Sequence, residues 1–230
     1  LSTADWRDHV IAIVGCGGLG VPAAWTLGLA GARRLRLIDP DVVELSNLHR
    51  QVRYSEADVG ASKADRLAVA LRARFSGLTV EVRVSRLSAA TAPTLLAGAV
   101  AVLEASDDAL CKFEVNDQVV AAWHAAAAAG SAARAAGAAV GERVAGPQVG
   151  VIAAAVARRG QWLILAPGGA CYRCLFEAPP PLESLATCET AGVLGPVVGH
   201  VGAAAARGLI AALSGRADPA RSALVRWDAG

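Results

Sequence analysis

The chain has 230 residues, 54% of them apolar and 18% charged, and carries a formal net charge of +2. This balance excludes a disordered chain, because so much apolar side chain can offset the entropy of ordering. It also lacks the dense basic block that would mark a nucleic-acid surface. The length suits one sizeable core, so residues 1–230 are read as a single domain with an Ala-rich insertion near 125–147. No secretory signal opens the chain, which implies a cytoplasmic protein whose five cysteines, Cys16, Cys111, Cys171, Cys174 and Cys188, are thiols or ligands rather than disulfides. The first residue is Leu1 and there is no methionine, so a trimmed start is expected.

In chain order, Val10–Val14 is a short apolar run that ends in a glycine-rich turn, which predicts a buried strand. Leu19 to Ala30 predicts a helix, with Pro22 in its first turn and Gly31 closing it. Leu35–Ile38 is a second strand ending at Asp39. Residues 60–74 place apolar side chains at 64, 67, 68 and 71 and predict a helix. Strands follow at Thr79–Val84 and Ala99–Leu103, and a long helix from Lys112 to Ala136. Gln148–Val156 and Trp162–Leu165 read as a strand pair turning through Arg158-Arg159-Gly160-Gln161. Pro179–Pro181 marks an exposed loop. Residues 193–213 are the last helix. The stretch Gly192–Leu213 is the most membrane-like in the chain, but Pro196, His200 and Arg207 interrupt it, and a buried helix is the expectation. Leu224–Trp227 is a final strand. The alternation predicts an α/β, Rossmann-like, mainly parallel sheet with helices on both faces, extended by antiparallel strands.

The chemistry begins at Gly15-Cys16-Gly17-Gly18-Leu19-Gly20, between a strand and a helix. Gly15 permits the tight turn, Gly17 and Gly18 let a phosphate approach bare backbone, and Gly20 lets the helix pack closely. The helix start adds free N–H groups and a partial positive charge. Asp39, 24 positions after Gly15, stands where a carboxylate accepts ribose hydroxyls. NAD and ATP predict that acid equally. The run Ser46, Asn47, Arg50 and Gln51, with Lys63 a short loop on, separates them, because a dehydrogenase has no need of a phosphate-seeking cluster there. Asp107 and Asp108 follow the fourth strand, at the ligand edge of such sheets, and either hold Mg²⁺ or cap the next helix. Cys171 and Cys174 have zinc-ligand spacing, but a structural zinc takes four ligands.

Taken together, Gly15–Gly20, Asp39-x-Asp41-x-Val43-x-x-Ser46-Asn47-Leu48-x-Arg50-Gln51, Val59-Gly60-x-x-Lys63, Cys171-Tyr172-Arg173-Cys174-Leu175 and Thr187-Cys188-Glu189-Thr190-Ala191-Gly192-Val193-Leu194-Gly195-Pro196 resemble the ThiF/MoeB family, relatives of the ubiquitin-activating enzymes. The resemblance implies an enzyme that binds ATP with Mg²⁺, joins AMP to the terminal glycine carboxylate of a ubiquitin-like sulfur-carrier protein with a Gly-Gly tail, and releases pyrophosphate. It assigns nucleotide binding to the glycine turn, Asp39, Asp41, Asn47, Arg50, Gln51 and Lys63. Catalysis falls to Arg50, Lys63, Asp107 and Cys188, magnesium to Asp107, and half of a zinc set to Cys171 and Cys174. A homodimer is expected, with neither nucleic acid nor membrane as partner. The family's second cysteine pair does not follow before Gly230, and Lys112 stands where the family usually has arginine. Two other readings remain: an inactive relative that docks a ubiquitin-like domain, and an NAD-dependent oxidoreductase.

Overall fold

The structure, a computed structural model, describes residues 6–135, 146–181, 192–216 and 224–229. Seven strands, β1 (Val10–Val14), β2 (Arg34–Ile38), β3 (Thr79–Arg83), β4 (Ala99–Glu104), β5 (Val149–Val156), β6 (Arg159–Leu165) and β7 (Leu224–Asp228), form one sheet in the order β3-β2-β1-β4-β5-β6-β7. The first five run parallel; β6 and β7 are added antiparallel. This is the Rossmann-like sheet with an antiparallel extension that the strand–helix alternation predicts.

Among the described residues six α-helices accompany it: α1 (Gly20–Leu29), α2 (Lys63–Arg74), the single-turn α3 (Ala92–Leu95), α4 (Ala109–Ala135), the single-turn α5 (Tyr172–Leu175) and α6 (Gly195–Leu213). The alternation of side chains along each strand sorts them into two cores. Ile11, Ile13, Leu35, Leu37, Leu103 and Val151 face α1, α2 and α6. Val10, Ala12, Val14, Val102 and Ile152 face the opposite way, onto α3 and α4. A strand buried on both faces favours apolar residues throughout, and β1 is five of them in a row.

Local chemistry sets the ends of α2. Ser62 caps it, its hydroxyl accepting from the Asp65 N–H at 3.2 Å, and Arg72 and Arg74 occupy the last turn, where the helix dipole favours cations. The helix therefore begins at Lys63, not at residue 60. The β5–β6 hairpin also differs from expectation. Val156 pairs with Arg159, so the turn is Ala157-Arg158, and β6 begins three residues earlier than the apolar pattern indicates. Gly160, which reads as a turn residue, lies within the strand. A Cβ there would sit 2.1 Å from Cγ2 of Val201 on α6, so the glycine makes room for the helix. The long Ala-rich helix is present as α4 through Ala135; residues 136–145 of the expected insertion lie outside the described residues.

Helix α6 is long and apolar enough to cross a membrane by length and composition, yet it buries Val197, Val198, Val201, Ala205 and Leu209 against α1 and the sheet. Its crossing with α1 is close because Gly202 is bare. A Cβ at that position would meet the Leu19 carbonyl oxygen at 2.2 Å, and backbone cannot give way as a side chain can. Gly202→Ala is expected to cost about 1–3 kcal/mol, the range for overpacking a close contact. It should lower the urea midpoint and leave the denaturant slope unchanged. An unmoved midpoint would show that the helices do not cross this closely.

Candidate functional site

The strand order reverses between β1 and β4, and ligands of such sheets bind at the carboxyl ends of the strands beside that switch. Here the glycine turn leaves β1. Gly15 has φ +90°, and a Cβ on it would lie within 3 Å of the backbone of Ala105 and Ser106, so only glycine fits between the two strand ends. Its N–H donates to the Ile38 carbonyl at 2.9 Å, tying the turn to β2. Gly20 lies against the Gly15 carbonyl oxygen at a distance that leaves no space for a side chain. The amides of Gly17 and Gly18 have no partner among the described residues. Two open amides at the head of α1 are placed to receive an anion.

Asp39 ends β2 and is 4% exposed. One carboxylate oxygen accepts from the Cys16 N–H at 2.5 Å and the other from the Asp41 N–H at 2.8 Å. Burial pushes its carboxyl above the usual range, while those two amides and the charge of Lys63 pull it back. Asp39 thus holds the glycine turn in place as well as facing the cavity. Tyr54 adds a second tie: its hydroxyl reaches the carbonyls of Cys16, at 2.6 Å, and Lys63, at 3.1 Å, joining turn and helix α2.

The segment after β2 wraps over this end of the sheet through a short 3-10 turn at Leu45–Asn47. Asn47 is buried and donates to Glu44 Oε2 at 3.0 Å. Gln51 is 4% exposed, and its Oε1 is the one buried side-chain polar atom without a partner among the described residues. Its other amide atom would lie 3.2 Å from a Cβ at Gly17, so the side chain leans on the cradle. An orphaned polar atom at that depth is the mark of a site made for a ligand. Lys63 is buried at 7% exposure, with Nζ 3.1 Å from Asp41 Oδ2, so it is not the solvated surface charge that a lone lysine usually is. Arg50 has no carboxylate partner among the described residues; its guanidinium approaches only His49 Nε2, at 3.5 Å.

These groups line one cavity of about 1150 Å³. Gly15, Gly17, Gly18, Asp39, Asp41, Asn47, Arg50, Gln51, Lys63 and Asp107 all border it. Gly20 and Ser46 do not. Gly20 supports the turn from below, and Ser46 is exposed, its hydroxyl 3.4 Å from Glu44. The paired aspartates separate. Asp108 caps α4, accepting from Leu110 N at 2.9 Å and Cys111 N at 3.3 Å, and it pairs with Arg86 at 2.9 Å. Asp107 is exposed on the cavity wall and has no hydrogen bond among the described residues. One free carboxylate beside a phosphate cradle fits Mg²⁺, which takes most of its ligands from water and phosphate oxygens.

Sequence reading missed the wall beyond β4. Glu104 is fully buried and pairs with Lys112 Nζ at 2.5 Å. Lys112 also donates to the carbonyls of Ser106, at 2.6 Å, and Ala153, at 3.0 Å, and the Ser106 hydroxyl donates to Glu104 Oε1. This network braces the loop that carries Asp107. The eight-residue step from Glu104 to Lys112, strand end to helix, was its only trace in the sequence.

Among the described residues the cysteines are free thiols. Burial, then the Asp39 charge, pushes the Cys16 thiol well up; burial and Glu104 push Cys111 up to about 12, so both are inert packing residues. Cys171, just before α5, and Cys174, within it, face each other with sulfurs 3.5 Å apart. No third metal donor joins them among the described residues, and a structural zinc takes four ligands. Cys188 lies outside the described residues.

The ThiF family pattern matches residues 2–229. The chain belongs to the ThiF family. It is 38% identical over 197 residues to the adenylyltransferase and sulfurtransferase MOCS3 of Mus musculus, covering 85% of this chain and 38% of that protein. It is 35% identical over 224 residues to the adenylyltransferase and sulfurtransferase uba4 of Aspergillus terreus, covering 94% and 41%. The chain thus spans about two fifths of the length of the curated relatives it matches. Among solved structures it resembles E. coli MccB, crystallised with AMPCPP and MccA, at a TM-score of 0.71 and 19% identity over 98% of this chain and 64% of that one. The same protein crystallised with ATP superposes at 0.68. At such low identity these likenesses establish the fold. The five motifs from Gly15 to Pro196 are therefore those of a ThiF domain, as the resemblance implies.

Proposed function

We propose that this ThiF domain adenylylates the C-terminal glycine carboxylate of a ubiquitin-like sulfur-carrier protein in the cytoplasm, and that it works as a homodimer. The observation that carries the reading is the union, in one cavity, of two backbone amides and an arginine that have no hydrogen-bond or carboxylate partner, respectively, among the described residues, together with a buried lysine. A dinucleotide needs the first of these but not the last two.

In this reaction a carboxylate oxygen of the tail attacks the α-phosphorus of ATP. The bond from that phosphorus to the α,β-bridging oxygen breaks, and pyrophosphate leaves with the electron pair. A carboxylate is already a nucleophile, so no general base is required. The barrier is repulsion between anions and the charge that builds on the α-phosphate and the leaving group. Fixed donors aimed at that charge lower it. Asp39 receives the ribose, the amides of Gly17 and Gly18 receive phosphate oxygens, and Arg50, Lys63, Asn47 and Gln51 surround the triphosphate. Asp107 would hold Mg²⁺, which neutralises phosphate charge when bound.

The relatives' names support this reading, since MOCS3 and uba4 are called adenylyltransferases. Incubation with labelled pyrophosphate, ATP and a Gly-Gly-ended carrier is expected to return label into ATP only when carrier is present. Exchange absent with carrier, alongside tight NADH binding, would overturn the proposal in favour of an oxidoreductase. Carrier binding without exchange would identify an inactive docking domain.

A further inference from the structure

The cavity extends well beyond the phosphate cradle, along β5 to the antiparallel strands, where Arg159, Gln161, Arg226 and Asp228 border it. Register puts these four on one face of the sheet: Arg159 opposite Asp228 and Gln161 opposite Arg226. Their alternate neighbour Gly160 faces α6 instead, and Trp227 reaches His200 on that helix with ring centroids 4.6 Å apart. The sequence alone shows nothing of this, since a long segment separates β6, which ends at Leu165, from β7, which begins at Leu224.

Among the described residues six cationic residues line the cavity, and four are already matched with a carboxylate. Lys63 meets Asp41, Arg86 meets Asp108, Lys112 meets Glu104, and Arg159 meets Asp228 at 2.8 Å. Two have no carboxylate partner among the described residues, Arg50 and Arg226. They stand in different parts of the cavity: Arg50 beside the glycine turn, Arg226 on the exposed face of the last strand. Arg50 has its anion in the triphosphate. The second unmatched guanidinium lies outside the nucleotide cradle, farther along the same cavity.

From this we infer that Arg226 reads an acidic side chain upstream of the Gly-Gly end of the acceptor tail, making it a specificity-determining residue for the protein substrate. The inference rests on the adenylation reading of the same cavity. A planar guanidinium accepts a carboxylate as a bidentate partner, and Gln161 across the strand pair offers an amide beside it. Asp228, the carboxylate nearest in sequence to Arg226, is paired with Arg159. Because Arg226 is exposed, the contact is screened by salt and modest in size.

The test uses fluorescently labelled peptides about ten residues long, extended at about 3.3 Å per residue, each ending in Gly-Gly. A single Glu, Gln or Lys is walked through the upstream positions. Binding is followed by anisotropy in the presence of a non-hydrolysable ATP analogue, with analogue binding measured in parallel. At one position the Glu peptide should bind about tenfold tighter than the Lys peptide, the size of one favourable contact exchanged for one repulsive contact. Arg226→Ala should abolish that preference, Arg226→Glu should reverse it, and neither should alter binding of the analogue. Equal affinities at every position, a preference that survives Arg226→Ala, or no peptide binding at all would overturn the inference. Retained binding of the ATP analogue in those same samples would leave the nucleotide reading standing, and its loss in the unmodified protein would defeat that reading instead.

Discussion

Replacing Lys63 by alanine is expected to slow carrier-dependent pyrophosphate exchange by about 10²–10³-fold, the usual scale for losing one donor aimed at transition-state charge. The protein should remain folded. Lys63 Nζ pairs with Asp41, whose side chain is 55% exposed, so water screens the carboxylate left behind and the stability cost of breaking the pair is small. The ammonium is worth far more to a triphosphate than to Asp41, because the ligand carries several charges into a slot where Lys63 is buried. Loss of an interaction formed only in the transition state lowers kcat and kcat/KM together; loss of simple ATP binding would raise KM alone. The first pattern is expected for Lys63→Ala and for Arg50→Ala. A folded Lys63→Ala protein that exchanges at the unmodified rate would remove Lys63 from the reaction.

Local and non-local features of this chain were not equally legible. The β1–turn–α1 unit and its step to Asp39 are written within thirty residues, so composition and spacing sufficed to place the turn and the acid at the strand ends. Asn47, Arg50, Gln51 and Lys63 were legible for the same reason: one segment delivers them all to the strand ends. Where a residue's role depends on a distant neighbour, reading failed. Gly160 looks like a turn because glycine marks turns, but Val201 on α6 is what forbids a side chain there. Asp107 and Asp108 look equivalent until Arg86, more than twenty residues earlier, draws Asp108 onto the helix cap. Arg226 looks like any charge on an edge strand until the register with β6 turns it into the cavity wall.

The largest stability effect is expected at the Glu104–Lys112 pair. Lys112→Met keeps the bulk of the side chain but leaves Glu104, with no exposed surface, facing only Ser106. Removing one partner of a buried ion pair costs about 3–5 kcal/mol, because the remaining charge can reach neither water nor a counter-ion. Burial already raises the Glu104 carboxyl above its ordinary 4.5, and the Lys112 charge and hydrogen bond are what oppose that rise. Without them the folded-state value climbs further while the unfolded value stays put. The folded state then binds the extra proton, so stability is kept below the ordinary carboxylate range and lost as pH rises above it toward the new folded value. Urea unfolding of Lys112→Met should therefore show a midpoint that recovers on acidification from pH 8 toward pH 5, a trend that the intact pair opposes. Adding Glu104→Gln removes the titrating group. The double variant should regain much of the lost stability and lose the pH dependence, since replacing both members of a buried pair is far milder than orphaning one. If Lys112→Met unfolded at the same midpoint at every pH, Glu104 would have to reach water in the native state, and the bracing of the Asp107 loop by this pair would be refuted.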